Sequence, residues 1–217
     1  KTFHLATRLL PERVRHATYV LYGFFRVADD VVDDVEDPDP SAQRATLERF
    51  REAALGERPC EDPVVEAFAE VKANNGIPDA DVEAFVDAML ADITKRRYET
   101  YAELETYMDG SAAAVGRMMT AVMDLPEERE RKALPHATAL GEAFQLTNFL
   151  RDVREDIVER DRIYLPQETL AEYDVTEEQL LAFEYDERFV AAMNHELRRT
   201  EALYKEGVAG IKHLPED

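Results

Sequence analysis

The chain is poor in cysteine, since Cys60 is the only one in its 217 residues. A single thiol excludes an internal disulfide and a cysteine-based metal site, because both need several cysteines. The sequence also lacks a signal peptide and any apolar run of about 18 residues, so we expect no membrane-spanning segment. Together these absences favour a cytoplasmic protein in a reducing setting.

Positive charge is scarce as well. The chain has 26 basic residues against 47 acidic ones, and its formal net charge is −21 at pH 7. Nucleic acid is therefore a poor partner, because its phosphates would be repelled. The same repulsion argues against electrostatic docking to anionic lipid.

We interpret this acidic surface as that of a protein from a high-salt cytoplasm, such as a halophilic archaeon's. Only six of the basic residues are lysines. Dissolved salt screens the self-repulsion of such a surface, so we predict that the thermal unfolding temperature rises between about 0.1 M and about 2 M KCl. A flat or falling response in that titration would contradict the interpretation.

Glycine is limited to eight residues, whereas 45% of the chain is hydrophobic. Apolar residues recur at helical spacing along nearly the whole sequence, and no alternating strand pattern persists. There is no fixed repeat, low-complexity tract or obvious linker. The sequence therefore predicts an all-α fold, a single-domain helical bundle over residues 1–217 that is trimmed at both ends.

Helix boundaries follow from local signals. Pro11 opens a first long helix, and Ser41 is the predicted N-cap of the second. Another long helix is predicted from about Glu127 to Glu159. Mostly small residues occupy positions 110–116, where they would let two helices approach closely.

The first helix ends in an arrangement of charges, in the stretch RVADDVVDD. Asp29 and Asp33 are four residues apart, and Arg26 precedes them by one turn. Residues i and i+4 of an α-helix are offset by about 40°, so the two aspartates share one face. The preceding sequence, YVLYGFF, is largely apolar.

The later stretch NFLRDVRED repeats the arrangement. Asp152 and Asp156 are four residues apart, Asn148 lies one turn earlier, and Arg151 flanks them. Gln145 and Asn148 interrupt an otherwise apolar stripe of this helix. Polar groups on a core-facing stripe need partners, so the second face also calls for a ligand.

Carboxylate oxygens suit Mg²⁺, which keeps several waters and bridges carboxylates to substrate phosphates. Two acidic helix faces opposed across a bundle can hold Mg²⁺, or Mn²⁺ as the alternative ion, and grip a diphosphate. Arginines would bind the remaining phosphate oxygens. A lone acid pair at this spacing is usually a solvated helix face, but the apolar sequence leading into each pair favours the metal site.

Three blocks resemble the trans-isoprenoid head-to-head synthases, the family of squalene, dehydrosqualene and phytoene synthases. Their N-terminal block and first aspartate-rich motif are similar to KTFHLATRLLPERVRHATYVLYGFFRVADDVVDD, and a block ending in Val-Gly is similar to YMDGSAAAVG. Their second aspartate-rich motif resembles GEAFQLTNFLRDVREDIVERDRIYLP almost position by position. The resemblance runs nearly end to end and is strongest to phytoene synthases, notably haloarchaeal ones.

The resemblance implies an isoprenoid-synthase helical bundle with a central active-site cavity, and a prenyltransferase activity. The implied reaction is the Mg²⁺-dependent head-to-head condensation of two geranylgeranyl diphosphates, through prephytoene diphosphate, to phytoene in carotenoid biosynthesis. By similarity, the catalytic residues are Asp29, Asp33, Asp152 and Asp156. The same four aspartates and Asn148 would hold the metal. The implied substrate-binding residues are Lys1, Tyr22, Phe25, Arg26, Gln145 and Arg151.

A carbocation formed when the diphosphate leaves needs a dry pocket, and aromatic faces can stabilise it. The candidates are Phe3, Tyr22, Phe25, Phe144 and Tyr164, although ordinary core packing explains each of them as well. Arg96 and Arg97 could flank the site or simply be solvated, and we favour solvated side chains. The same two alternatives hold for Asp92, which is left out of the predicted site.

Other functions stay open at this point. Squalene or dehydrosqualene synthases use farnesyl diphosphate, and squalene formation also needs NADPH. A non-catalytic family member, acting as an assembly factor, would be expected to lose ligands from an acidic motif, and here both motifs are intact. Chain-elongating prenyltransferases and terpene cyclases usually carry different second motifs. The greasy substrate and product favour peripheral membrane contact through an apolar cavity mouth.

The chain departs from the family pattern in three places. Many members carry a second tyrosine two residues after the position of Tyr107, where this chain has Asp109. The family's His-Ser pair before Lys1 and its final helices fall outside the sequence. We therefore expect further diphosphate-binding residues beyond these 217.

Overall fold

The computed structural model describes residues 7–33, 39–59 and 62–215. Over these ranges the chain is mainly helical, and its only β-type pairing is one isolated bridge between Arg97 and Ile163. The α-helices are α1 (Glu12–Asp33), α2 (Pro40–Leu55), α3 (Pro63–Asn75), α4 (Asp79–Asp92), α5 (Tyr101–Met108), α6 (Ala114–Ala121), α7 (Glu127–Arg151), α8 (Val153–Arg160), α9 (Gln167–Glu172), α10 (Glu177–Leu181) and α11 (Glu187–Val208). A π-helical segment, Asp109–Ala113, joins α5 to α6, and a 3₁₀ turn, Ile211–His213, follows α11. The predicted all-α fold is confirmed.

No helix within the described ranges combines the length and the apolar character that a bilayer crossing needs.

The start of α2 differs from the sequence prediction. Asp39 caps the helix, and its carboxylate accepts hydrogen bonds from the amides of Ser41 at 2.9 Å and Ala42 at 3.3 Å. The prediction of Ser41 as the N-cap is wrong because Pro40 occupies the first helical turn, where its fixed φ and missing N–H are tolerated. The helix ends at Gly56, whose φ of 80° is the left-handed conformation that favours glycine.

The long helix predicted from Glu127 to Glu159 is broken at Asp152. Helix α7 ends at Arg151, and Asp152 adopts φ −101° and ψ 14° before α8 begins. The amide of Asp152 still donates to the carbonyl of Asn148 at 2.8 Å, and the amide of Asp156 donates to the carbonyl of Asp152 at 2.9 Å. The one-turn spacing of these side chains therefore survives the break.

The packing of α1 decides which of its faces is left for the site. Leu21, Phe24 and Ala28 are fully buried in the core. The ring of Phe24 stacks on that of Phe68 in α3, with centroids 3.6 Å apart. Burying an aromatic side chain of this size contributes about 1.5–3 kcal/mol. Because this face is fixed in the core, the face that carries Asp29 is turned elsewhere.

Small residues let the central helices approach closely, as the sequence predicted. A Cβ atom on Gly110, in the π-helical segment, would lie 2.2 Å from the carbonyl oxygen of Ala84 in α4. A Cβ atom on Gly116, in α6, would lie 2.5 Å from the carbonyl oxygen of Ala137 in α7. Both contacts are with backbone atoms, which cannot move aside as a side chain can.

We predict that Gly110→Ala lowers the free energy of unfolding by at least about 3 kcal/mol, because the added methyl group forces two helix backbones apart. Gly23→Ala is the matched control, since its Cβ would meet only a methyl group of Val64 at 3.0 Å. Alanine has a higher helix propensity than glycine, which offsets that contact. Gly23→Ala should therefore change the free energy of unfolding by less than about 1 kcal/mol. Urea denaturation of both variants measures the difference, and equal stabilities would contradict the prediction.

Candidate active site

A cavity of about 360 Å³ opens between α1, α4, α7 and α8. Nine of the ten predicted site residues that the structure describes line it, namely Tyr22, Phe25, Arg26, Asp29, Asp33, Gln145, Asn148, Asp152 and Asp156. Tyr164, an aromatic candidate from the sequence, also lines it. The structure therefore brings together residues that are more than 120 positions apart in the chain.

The first acidic face belongs to the last turns of α1. Arg26 pairs with Asp29 at 2.8 Å and with Asp30, so its guanidinium neutralises carboxylates one turn ahead of it. Burial raises the pKa of Asp29 above its usual range, and the neighbouring Asp33 carboxylate adds to the rise against the attraction of Arg26. This face therefore concentrates more negative charge than its arginine offsets.

The second acidic face lies where α7 gives way to α8. Asp152 accepts two hydrogen bonds from Arg151, at 2.7 and 2.5 Å, and they hold the pKa of its carboxyl below the usual range. Burial raises the pKa of Asp156 to about 6, against the attraction of Arg160, and Asp152 adds to the rise. Arg151 is the one of those ten residues that does not line the cavity, because its exposed side chain turns onto Asp152 at the rim. Its diphosphate-binding role stays a prediction.

Two arginines that were not predicted from the sequence contact the first acidic face, and one of them also reaches the second. Arg160 lies 3.4 Å from Asp33 of α1 and 3.5 Å from Asp156 of its own helix. Arg162 lies 3.4 Å from Asp33 through its Nη1 atom. Both arginines line the cavity. One guanidinium therefore spans the distance between the two acidic faces.

Asp92 is a further carboxylate of the cavity, which the sequence analysis placed outside the site. It ends α4, and only 6% of its surface is exposed. Its Oδ2 atom accepts a hydrogen bond of 2.7 Å from the hydroxyl of Tyr107. Burial raises its pKa to about 6, opposed by Arg162 and by the Tyr107 hydrogen bond. Of the two alternatives for Asp92, the solvated one is wrong and its omission from the site was a mistake, because Asp92 continues the buried stripe of Phe85 and Met89 on α4.

Aromatic rings form much of the remaining wall. Tyr164 stacks on Phe149 with centroids 3.8 Å apart, and Phe25 packs on Phe85 at 5.0 Å. Phe144 lies elsewhere: it is 55% exposed and packs against Tyr204 of α11. Lys1 and Phe3, also predicted for the site, lie outside the described residues.

A second, apolar groove of about 360 Å³ lies beside the charged cavity. It runs between α6, α7 and the end of α11, and Phe144 belongs to it. Val115 lines both the cavity and the groove. Val115 therefore borders both spaces, with charged groups on one side of it and an apolar lining on the other.

Arg96 and Arg97 support the segment after α4 without lining the cavity. Arg96 donates to the carbonyls of Asp92 and Ile93 at 2.9 and 3.0 Å. Arg97 pairs with Asp161 at 3.0 Å and Glu177 at 2.7 Å. The interpretation of both as solvated is wrong, because these side chains are half-buried in contacts with the chain itself.

The donor chemistry of the cavity fits a divalent cation shared with a substrate. Among the described residues, no three carboxylate or histidine side chains are close enough to hold one ion by themselves. Mg²⁺ does not require that, because it commonly takes one or two carboxylates and completes its shell with waters and substrate phosphates. Burial is the main cause of the raised pKa values of Asp29 and Asp156, and it disfavours their ionised forms despite the nearby arginines. A cation between these faces would stabilise those ionised forms.

We predict that Asp156→Asn raises the unfolding temperature of the cation-free protein at pH 7.5. The folded state binds the Asp156 proton with a pKa of about 6, above the ordinary value of 3.8, so ionisation destabilises it. The variant removes that penalty, and its advantage should shrink as the pH falls from 6 to 4, where wild type holds the proton. Differential scanning calorimetry across that range measures the effect.

Asp152→Asn is the matched control for this titration. The pKa of Asp152 is lowered, so its ionised form stabilises the fold, and that stability is present above the ordinary pKa. Its removal should lower the unfolding temperature slightly at pH 7.5. The same sign for both variants would contradict the assignment.

Comparison with known proteins places this geometry in a family. The family model for squalene/phytoene synthases matches residues 1–217. The phytoene synthase of Cereibacter sphaeroides is 37% identical over 223 residues, and the match covers 99% of this chain and 62% of that protein. The phytoene synthase of Rhodobacter capsulatus is 35% identical, with 100% of this chain and 63% of that protein covered.

A solved structure agrees in fold. A dehydrosqualene synthase in complex with a ligand superposes with a TM-score of 0.84 and 31% identity, over 99% of this chain and 73% of that one. The chain spans somewhat less than two thirds of the length of the two phytoene synthases named above. With the family model matched over all 217 residues and both acidic faces lining one cavity, the chain belongs to the squalene/phytoene synthase family.

Proposed function

We propose that this protein is a phytoene synthase, a prenyltransferase that condenses two geranylgeranyl diphosphates head to head in carotenoid biosynthesis. The observation that supports it most is the reach of Arg160, which lies within 3.5 Å of both acidic faces. A diphosphate bound there would contact arginines, and the aspartates of both faces would hold Mg²⁺ beside it. The relatives named phytoene synthase, at 35–37% identity, support the same assignment.

The arginines of the cavity bind and orient the diphosphate. Arg26, Arg160 and Arg162 are each paired with an aspartate. Guanidinium groups form charge-assisted hydrogen bonds to phosphate as readily as to carboxylate. With Mg²⁺ held by the aspartates, these arginines would be available to contact the diphosphate oxygens.

Mg²⁺ bound by Asp29, Asp33, Asn148, Asp152 and Asp156 would supply positive charge that stabilises the departing diphosphate. The residues around it exclude water. The stacked rings of Phe149 and Tyr164 and the pair Phe25 and Phe85 form a wall beside the place where the diphosphate leaves. Aromatic faces can stabilise the allylic cation that results.

The apolar groove provides space for prenyl tails. A cavity of about 360 Å³ is at the small end of the range of about 300–1,000 Å³ typical of ligand pockets, and two 20-carbon chains need more. The groove beyond Val115 doubles the available volume with an apolar lining. Its rim carries the exposed side chains of Phe144 and Ile211, which also offer a point of peripheral membrane contact for a greasy product.

The second candidate is a dehydrosqualene or squalene synthase, which the likeness to the dehydrosqualene synthase structure favours. The test is incubation of the purified protein with geranylgeranyl or farnesyl diphosphate, Mg²⁺ and high KCl, with and without NADPH. Hexane extracts are analysed by mass spectrometry. We expect phytoene from geranylgeranyl diphosphate without NADPH.

Each other outcome points to a different function. Product from farnesyl diphosphate alone would replace the proposal by dehydrosqualene synthase, or by squalene synthase where NADPH is required. No hydrocarbon from either substrate would favour a non-catalytic role as an assembly factor. In that case the acidic faces should still bind Mg²⁺ with pyrophosphate in a calorimetric titration.

A further inference from the structure

We propose that Asp92 is a positioning residue for diphosphate binding, which acts as the permanent counter-charge of Arg162. It would hold this guanidinium at the cavity wall when Asp33 turns to a cation. The inference rests on the proposed function in one respect only, that diphosphate is the anion bound. Asp92 lies on α4, outside both acidic faces.

Arg162 is buried between two carboxylates of different accessibility. Its side chain is 8% exposed, and its Nη1 atom lies 3.4 Å from Asp33 and 3.9 Å from Asp92. The Asp33 side chain is 31% exposed and faces the cavity, whereas that of Asp92 is 8% exposed. Asp33 is therefore the partner that a ligand can reach, and Asp92 is the partner that stays.

The backbone around Asp92 reinforces the contact. The Nη2 atom of Arg162 donates to the carbonyl oxygen of Asp92 at 2.8 Å. Tyr107 fixes the carboxylate through its hydrogen bond to Oδ2 at 2.7 Å, and Oδ1 has no hydrogen-bond partner among the described residues. The free oxygen is thus the one that lies towards Arg162, and it can accept a closer contact when Arg162 leaves Asp33.

A buried guanidinium that loses its carboxylate partner is strongly disfavoured. If Asp33 were the sole counter-charge, binding a cation there would leave Arg162 unpaired until the diphosphate arrived. Asp92 removes that obstacle. It also limits where Arg162 can go, because the backbone contact and the charge both hold the guanidinium beside α4.

The direction in which Asp92→Asn changes pyrophosphate affinity distinguishes a positioning role from simple charge repulsion. Asp92→Asn removes a negative charge near the anion site, so a purely electrostatic role predicts tighter binding of pyrophosphate. Positioning predicts weaker binding, by about tenfold or more. Isothermal titration calorimetry with inorganic pyrophosphate and excess Mg²⁺ in high KCl measures the affinity of the purified protein.

A double-mutant cycle with Arg162→Gln tests whether Asp92 acts through Arg162. We expect Asp92→Asn to change the affinity by less than about threefold in the Arg162→Gln background, although it costs about tenfold in wild type. Tyr107→Phe, which leaves both charges in place, should cost less than about threefold. Additive effects, or tighter binding by Asp92→Asn, would overturn the proposal.

Unfolding of a variant is informative as well. If Asp92→Asn fails to fold but the double variant folds, the two charges depend on each other, as proposed. If both fail, Asp92 supports the fold independently of Arg162 and the proposal is wrong. If the effects of the two substitutions on pyrophosphate affinity are coupled but no hydrocarbon is formed, only the proposed function is wrong. If the effects are additive and phytoene is formed, only this inference is wrong. If the wild-type protein binds no pyrophosphate, both are wrong.

Discussion

The Asp152→Asn variant should form hydrocarbon about 10²–10³-fold more slowly than wild type, which is the loss typical when one preorganised electrostatic group is removed. Asp152 stands at the break between α7 and α8 and lines the cavity. Two hydrogen bonds from Arg151 keep it ionised throughout the neutral range. An amide of the same shape cannot supply the negative charge that a cation requires.

The fold should tolerate this change, because the Asp152 side chain is 26% exposed and the backbone hydrogen bonds around it do not involve the carboxylate. The measurement is the initial rate of product formation at saturating geranylgeranyl diphosphate and Mg²⁺. Glu128→Gln is the control, since Glu128 is an exposed carboxylate on α7 that pairs with Lys132 away from the cavity. If the rate for Asp152→Asn lies within about threefold of the control, Asp152 does not contribute to the reaction and the role of the second acidic face is contradicted.

The two acidic faces could be predicted from the sequence because they depend on local geometry. Residues four apart share a helix face wherever the helix lies, so Asp29 with Asp33 and Asp152 with Asp156 needed no tertiary information. Even the break at Asp152 did not disturb the prediction, since one hydrogen-bonded turn bridges it. That both faces line one cavity followed from the resemblance and from the apolar sequence before each pair.

The arginines that contact the first acidic face from a distant part of the chain could not be predicted in this way. Arg160 and Arg162 contact Asp33 across 127 and 129 positions of the chain, and no local pattern specifies such a pairing. Asp92 did carry a signal, because it lies seven residues after Phe85 and three after Met89 on one stripe of α4. A charged residue that ends a buried stripe is a good candidate for a site, because a buried charge needs a partner. Polar neighbours in the sequence can hide this signal by making the segment look solvent-exposed.

Phe144 shows the limit of choosing aromatic residues by their nearness to a motif. Successive residues of an α-helix are turned by about 100°, so the neighbours Phe144 and Gln145 face different spaces. Gln145 lines the charged cavity and Phe144 the apolar groove. Phe144, a candidate for a ring beside the carbocation, therefore does not line the charged cavity, and under the proposed function it would lie beside a hydrocarbon tail instead.

The position of Val115 beside both the charged cavity and the apolar groove leads to a prediction about substrate length. Val115 is half-buried and borders both the cavity and the groove. If a substrate tail runs from the cavity past Val115 into the groove, Val115→Phe would obstruct it, and a 20-carbon tail would have to reach further past this residue than a 15-carbon tail. We expect kcat/KM for geranylgeranyl diphosphate to fall by about 10–100-fold, and that for farnesyl diphosphate by less than about threefold, if the tail passes Val115.

Val190→Phe makes the same change on an exposed part of α11, away from both spaces, and should leave the kcat/KM of either substrate unaltered. The informative quantity is the ratio of the two kcat/KM values, because general damage to the site lowers both together. An unchanged ratio in Val115→Phe would mean that the tail does not pass this residue. A changed ratio would connect the charged cavity and the apolar groove as two parts of one substrate site, with the diphosphate among the arginines and the hydrocarbon beyond Val115.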